Sequence, residues 1–213
     1  MGEIFITSDL HFGHNKPFLY EPRGFESIEE HDEEIVRRWN EVVGPEDTVY
    51  ILGDLMLVDN ERGMKCLKRL NGNLKIVLGN HDTTSRIELY KTLPNVEVLG
   101  YATVIKHNKH ILYLSHYPTL TSNYDSEKPL KAQVINVCGH SHIQDALGDT
   151  SLGMIYHVEL DAHDCYPVPL DKVIEDMHFA HDAYKIISKQ YNQMAEEYFK
   201  ELYGEDYFRY YES

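Results

Sequence analysis

Five short motifs of chemistry-bearing residues stand in order along the chain: Asp9-Leu10-His11, Gly53-Asp54, Gly79-Asn80-His81-Asp82, Ser115-His116 and Gly139-His140-Ser141-His142. Besides His81 they offer four imidazoles (His11, His116, His140 and His142), the carboxylates of Asp9 and Asp54, and the carboxamide of Asn80, with no thiolate among them. Nitrogen and oxygen ligands without cysteine suit a pair of divalent ions such as manganese, iron, zinc or nickel, in octahedral more than closed tetrahedral geometry. In an extended segment residues i and i+2 point to the same side. Asp9 with His11, and His140 with His142, therefore each project two ligands into one cavity from a single strand exit. Gly53 and Gly79 precede ligands, where a missing side chain permits a tight turn. A carboxylate on such a turn, Asp54, is placed to bridge two cations.

The elements that must position these residues are legible too. Each motif follows an apolar run that reads as a buried strand, at residues 4–6, 49–52, 76–78, 111–114 and 134–138. In open α/β sheets the ligand crevice lies outside the carboxyl ends of the strands, so five separate segments deliver polar residues to one sheet edge. Ser27 with Glu30 gives a capping-box start to a helix carrying Ile35, Val36 and Trp39, ended near Gly44-Pro45. Met64, Leu67 and Leu70 share a helix face over 60–70, and a helix across 83–92 precedes Pro94. This alternation marks a largely parallel sheet. Beyond Pro94, residues 96–107 and 110–114 read as one hairpin about Asn108-Lys109, with further strands at 134–138 and 154–160, and this half reads as the more antiparallel. The expected fold is a four-layer α/β/β/α sandwich of mixed sheets with an added C-terminal helix.

Residues 1–170 are expected to form the site-bearing domain and 171–213 a helical extension. In the extension Met177, Ala180, Tyr184, Ile187, Tyr191, Met194 and Tyr198 step by three and four, an amphipathic stripe. The simpler reading is a terminal helix lying on its domain; the sharper one is a helix pairing with its copy in a homodimer.

Composition narrows the partners. The chain has 213 residues and a formal net charge of −15, which disfavours tight nucleic-acid binding, since phosphate backbones demand clustered Lys and Arg. Divalent ions in a cleft still leave a local positive well for a small phosphorylated substrate. Cys66, Cys138 and Cys165 suit reduced, packed thiols better than a disulfide framework. With no charged-then-apolar leader and no run of roughly 20 apolar residues, a cytoplasmic protein without membrane contact is expected.

The ordered motifs resemble those of the calcineurin-like metallophosphoesterase superfamily: D-x-H, G-D, G-N-H-D/E, H and G-H-x-H. The resemblance runs over about residues 1–170, and the opening run Asp9-Leu10-His11-Phe12-Gly13-His14 is similar to that of small bacterial and phage phosphoesterases. It implies one metal held by Asp9, His11, Asp54 and His142, and a second held by Asp54, Asn80, His116 and His140, with Asp54 bridging and manganese favoured. It further implies hydrolysis of small phosphodiesters or nucleotides by a hydroxide shared between metals roughly 3.5–4 Å apart. In that scheme His81 stabilises the transition state or protonates the leaving oxygen, and Asp82 orients His81. The protein Ser/Thr phosphatase branch reads G-D-x-x-D-R-G in its second motif. Here Leu57 and Val58 stand in place of the second Asp and the Arg, so protein phosphatase activity is disfavoured. Phosphate contacts then fall to His14, on the loop leaving the first motif, and to Arg86, shortly after the third. Rival readings are a metallo-nuclease and a non-catalytic binding scaffold on the same fold. His31, His107, His110, His157, His163, His178 and His181 lack such a context and are read as structural or solvent-facing.

Overall fold

Two mixed sheets face each other in the computed structural model, which describes residues 2–121, 124–125, 127–148 and 154–204. The first is built from β1 (Ile4–Thr7), β2 (Thr48–Leu52), β3 (Asn73–Val77) and β4 (Val96–Gly100), all parallel, with β9 (Val168–Pro169) antiparallel against β1. Its order is β4-β3-β2-β1-β9. Between its strands run the short α1 (Pro17–Tyr20), then α2 (Ile28–Val42), α3 (Asn60–Leu67) and α4 (Thr84–Tyr90). The Ser27 side chain accepts the Glu30 amide at 3.2 Å and the Glu30 carboxylate returns to the Glu26 amide at 2.8 Å. These bonds satisfy amides that the first turn of a helix leaves unpaired. The buried face of α2 carries Ile28, Ile35, Val36 and Trp39. They pack with Val49, Ile51, Leu67, Leu74, Ile76 and Tyr90 into the core between helices and first sheet.

The second sheet has the order β5-β6-β7-β8, from β5 (Ala102–His107), β6 (His110–Ser115), β7 (Val134–Cys138) and β8 (Ile155–His157). Asn108 and Lys109 both take positive φ, 45° and 66°, as a two-residue type I′ hairpin turn requires. Ile6, Leu52 and Val77 of the first sheet meet Leu112, Leu114, Ile135, Val137 and Tyr156 of the second in the inner core. Helices, sheet, sheet and C-terminal helix follow the order expected from the sequence.

Three details differ from the sequence reading. Residues 96–107 are two strands rather than one: Gly100, at φ 103°, ends β4 in the first sheet, and β5 starts in the second. Only the β5–β6 pair is antiparallel in the second sheet; β6–β7 and β7–β8 are parallel, because the chain after each of these strands is long enough for a crossover. The run 154–160 is a strand only at β8, and the chain closes a single helical turn at Leu160–Ala162 before β9.

The last helix, α5 (Leu170–Tyr203), begins directly after β9. Leu170, Val173 and Met177 are buried in the inner core, and Ala180 and His181 are buried beyond them. The same stripe continues into solvent: Ile186, Ile187, Tyr191, Met194 and Tyr198 are all exposed. No helix among the described residues is long and apolar enough to cross a membrane.

The two halves of this stripe therefore contribute differently to stability. Met177 is fully buried and Met194 is 69% exposed. Met177→Ala is expected to destabilise the fold by about 2–5 kcal/mol and Met194→Ala to stay within about 0.5 kcal/mol. Urea unfolding checks this; equal effects from the two substitutions would refute the packing described for α5.

Candidate metal centre

All five motifs leave the carboxyl ends of strands: Asp9 and His11 after β1, Asp54 after β2, Asn80 to Asp82 after β3, His116 after β6, and His140 with His142 after β7. The turns are sharp. Asp9 (φ 59°), His11 (48°), Asp54 (56°), His140 (73°) and His142 (50°) all occupy the left-handed region, which non-glycine residues seldom adopt outside functional or tightly constrained sites. Backbone bonds lock the turns together: the Asp9 amide donates to the Gly53 carbonyl at 3.1 Å, His11 to Asp54 at 3.0 Å, and Gly139 to His116 at 3.0 Å. Two glycines are required by close approach. A Cβ on Gly79 would lie 2.3 Å from the Asp54 carboxylate, and one on Gly139 would lie 2.3 Å from that of Asp9.

The ligand atoms of Asp9, His11 and His142 lie within 4.8 Å of one another, as do those of Asp9, Asp54 and His116. Asp9 is common to both groups, and Asp54 Oδ2 lies 3.8 Å from His11 Nε2 and 3.5 Å from His116 Nε2. His116 Nε2 is also 2.8 Å from Asn80 Oδ1 and 3.2 Å from His140 Nδ1. The seven residues expected as ligands are thus brought together.

Their outward nitrogens show how the inward ones are prepared. His142 Nδ1 meets Asp161 Oδ2 at 2.9 Å and His116 Nδ1 meets the Leu52 carbonyl at 2.7 Å. Each contact places the proton of a neutral imidazole on Nδ1 and turns a bare Nε2 lone pair inward. His142 Nε2 then faces His11 Nε2 at 3.2 Å, while His116 Nε2 faces the Asn80 oxygen. Asp9 Oδ1 is buried with no hydrogen-bond partner at all. The His116 lone pair pressed against the Asn80 oxygen, with an orphaned carboxylate oxygen nearby, fits divalent cations. The other oxygen, Asp9 Oδ2, accepts the His140 amide at 2.8 Å, a bond that favours the ionised carboxylate. Asp9 is therefore ready as an anion at neutral pH.

His81 stands at the rim rather than among the ligands. Its side chain is 41% exposed, with Nε2 3.9 Å from Asp54 Oδ2. Its amide donates to Asp54 Oδ1 at 2.9 Å. Asp82, expected to orient His81, is engaged otherwise. Its carboxylate accepts the amides of Asp54 (2.9 Å) and Gly79 (2.8 Å) and the Tyr90 hydroxyl (2.8 Å), so it ties two ligand turns to α4. Arg86, expected on the phosphate, instead donates to Asn60 Oδ1 and to the His81 carbonyl, a positioning contact. His14 does border the site: it lines a cavity shared with His11, His81 and His142.

Sequence reasoning missed the support behind His142. Arg23 holds Asp161 through two bonds, Nε to Oδ1 at 3.1 Å and Nη2 to Oδ2 at 2.7 Å, and also donates to the Asp9 carbonyl at 2.9 Å. Arg23 Nη1 reaches His31 Nε2 at 3.0 Å, and His31 Nδ1 reaches Asp32 Oδ1 at 2.9 Å. Burial opposes the charge on Asp161, but hydrogen bonds from His142 and Arg23 hold its carboxyl well below the usual carboxylate range. The local signal is the run Asp161-Ala162-His163-Asp164, in which the acid and not the histidine meets His142. His163 itself donates to or accepts from nothing at the site; its Nε2 lies 2.8 Å from the His157 carbonyl.

A carboxylate behind a ligating histidine typically sustains metal affinity by 10–100-fold. Asp161→Ala is expected to weaken manganese binding by about that factor. Calorimetric titration of the metal-free protein measures it, and unchanged affinity would remove Asp161 from the centre.

With the geometry in place, comparison with known proteins is direct. Residues 3–156 match the model of the calcineurin-like phosphoesterase superfamily domain. An uncharacterized protein of Methanocaldococcus jannaschii is 34% identical over 119 residues, 55% of this chain and 65% of that protein, so the match spans just under two thirds of its length. The gene 66 protein of Mycobacterium phage D29 is 30% identical over 197 residues, 82% of this chain and 96% of that protein. The crystal structure of a protein of unknown function from Aquifex aeolicus shares the fold with a TM-score of 0.61 at 20% identity, covering 82% of this chain and 99% of that one. On the family match over most of its length, the chain belongs to the calcineurin-like phosphoesterase superfamily.

Proposed function

We propose that this protein hydrolyses small phosphodiesters or nucleotides at two divalent cations, with manganese the favoured ion. The observation that supports this reading is the convergence of seven candidate ligands from the carboxyl ends of strands in both sheets, with the His81 imidazole beside them. Asp9, His11, Asp54 and His142 would hold one ion; Asp54, Asn80, His116 and His140 the other. When bound, such a pair supplies an activated water and neutralises charge developing on the phosphoryl oxygens.

The chain's own residues do the rest. His81 is carried by backbone contacts at both ends, its amide on Asp54 and its carbonyl under Arg86, so its ring is aimed without being consumed as a ligand. From that position Nε2 passes a proton to the departing alkoxide. Asp82 keeps the Asp54 and Gly79 turns in register. Hydrolysis of a diester, not of a phosphoprotein, is supported by Leu57 and Val58, which stand where that branch carries an acid and an arginine. Cys66, Cys138 and Cys165 are buried and unpaired, which supports a reducing compartment such as the cytoplasm.

Two substitutions separate the roles. His81→Ala is expected to lower kcat on bis(p-nitrophenyl) phosphate by about 10²–10⁴-fold with metal content unchanged. Asp54→Asn is expected to lose metal and turnover together. Metal analysis beside steady-state kinetics reads both; parallel loss of metal in His81→Ala would contradict its role at the rim, and turnover of single-stranded oligonucleotides by the parent protein would favour a nuclease.

A further inference from the structure

Beside the ligands lies a cavity of about 470 Å³, lined by His11, His14, His81, His142 and Asp161 on its polar side. The opposite wall is Phe18, Leu19, Pro22 and Leu57. Two of the polar residues, His11 and His142, are candidate ligands, so the cavity adjoins the candidate metal centre. Its volume falls within the roughly 300–1,000 Å³ of small-molecule sites.

Two features of the apolar wall are unusual for surface residues. Phe18 is 72% exposed, held at the rim because its neighbours Leu19 and Tyr20 are buried beneath the short α1. Its ring stands edge-on to His14, with centroids 5.6 Å apart. A large exposed aromatic at the mouth of a site offers a face for a partner. Leu57 is set by a tight turn in which the Asp59 amide donates to the Leu57 carbonyl at 3.0 Å, with Val58 at φ 70°. A β-branched residue at positive φ is strained, and strain of this kind is retained where surrounding structure fixes a position.

The charge of the cavity is as telling. Among the described residues no Lys or Arg lines it. Arg23, the nearest guanidinium in sequence to the wall, has a side chain only 1% exposed and is spent on Asp161. Arg86 is spent on Asn60 and the His81 carbonyl. Asp161 adds a carboxylate to the lining. Lys16, exposed on the loop between His14 and Phe18, is felt by His14 but is not part of the lining, so the walls themselves offer a second phosphate no cation.

We propose that the cavity binds a planar, uncharged aromatic group esterified to the phosphate, a nucleobase-bearing or aryl ester, seated on Phe18 and packed against Leu57. This deepens the phosphodiesterase reading and rests on it. The preferred substrate is then a monoanionic diester with one aromatic arm.

The test uses the full chain loaded with manganese. Diphenyl phosphate and diethyl phosphate carry the same charge and differ in the ring. As inhibitors of bis(p-nitrophenyl) phosphate hydrolysis, diphenyl phosphate is expected to bind on the order of tenfold more tightly. Phe18→Ala and Leu57→Asp are expected to abolish that preference and Phe18→Trp to retain it. Equal inhibition by the two diesters, or a preference that survives in Phe18→Ala, overturns the proposal. Should the protein turn over no diester, the phosphodiesterase reading fails. Calorimetric titration with the same two ligands then decides the cavity by itself, a ring preference lost in Phe18→Ala supporting it and no preference overturning it.

Discussion

The constraint on which this structure depends is that buried lone pairs must face one another. His116 Nε2 meets the Asn80 oxygen at 2.8 Å, and Asp9 Oδ1 is buried with no donor. A buried acceptor without a donor costs about 1–3 kcal/mol, and each left-handed non-glycine residue costs of order 1–3 kcal/mol more. Left alone, such a cluster would relax apart. It persists because five strand ends are fixed by parallel pairing and two apolar cores, and because the turns beyond them are bonded to one another rather than to solvent. The Asp82 carboxylate is the clearest instance: four donors from three separate segments end on it. Its contribution to chemistry is made through geometry.

The same logic extends outward from His142. Asp161, Arg23, His31 and Asp32 form a chain with two bases between two acids, and Asp32 in turn accepts the Gly13 amide and the Arg62 guanidinium. Buried charges are tolerated when each is paired and hydrogen-bonded, and removing one partner is far costlier than never having had the pair. The chain of contacts therefore couples a ligand to α2 and α3, elements that otherwise only cover the first sheet. Arg23 holds the key position because one planar guanidinium reaches Asp161, the Asp9 carbonyl and His31 at once, which a lysine ammonium could not reproduce.

How much of this was legible in the sequence follows from how local each signal is. Asp9, His11, Asp54, Asn80, His116, His140 and His142 could be named because each sits one to four residues past an apolar strand, a pattern set by neighbours in the chain. The parallel first sheet and the Asn108-Lys109 hairpin were readable for the same reason. The split at Gly100 was not, since an apolar run has the same appearance whether it stays in one sheet or passes between two. The parallel pairing of β6 with β7 depends on where a long connection returns, which no local pattern records. Asp161 and Arg23 lie 138 residues apart, so their partnership exists only once the sheets have closed. The partners of Asp82 and Arg86 were not legible, because position in a motif says nothing of which backbone groups will need a donor or acceptor.

A final consequence concerns charge. The body carries a net −15, yet many of its acidic groups are answered locally, as Glu34 is by Arg37 and Arg38 and Glu33 by Arg69. At the centre the chain takes a different course, supplying imidazoles and a carboxamide beside two carboxylates, while Arg23 and Arg86 are held by Asp161 and by Asn60 with the His81 carbonyl. Positive potential in the cleft then comes from whatever cations the ligands hold. Field lines from such ions are concentrated by a low-dielectric wall such as Phe18, Leu19 and Leu57 provide. Occupancy of the metal centre and affinity for an anion are thereby made a single property: with no fixed cation lining the cavity, a phosphoester has little to bind until the acceptors around Asp9 and Asp54 have been satisfied.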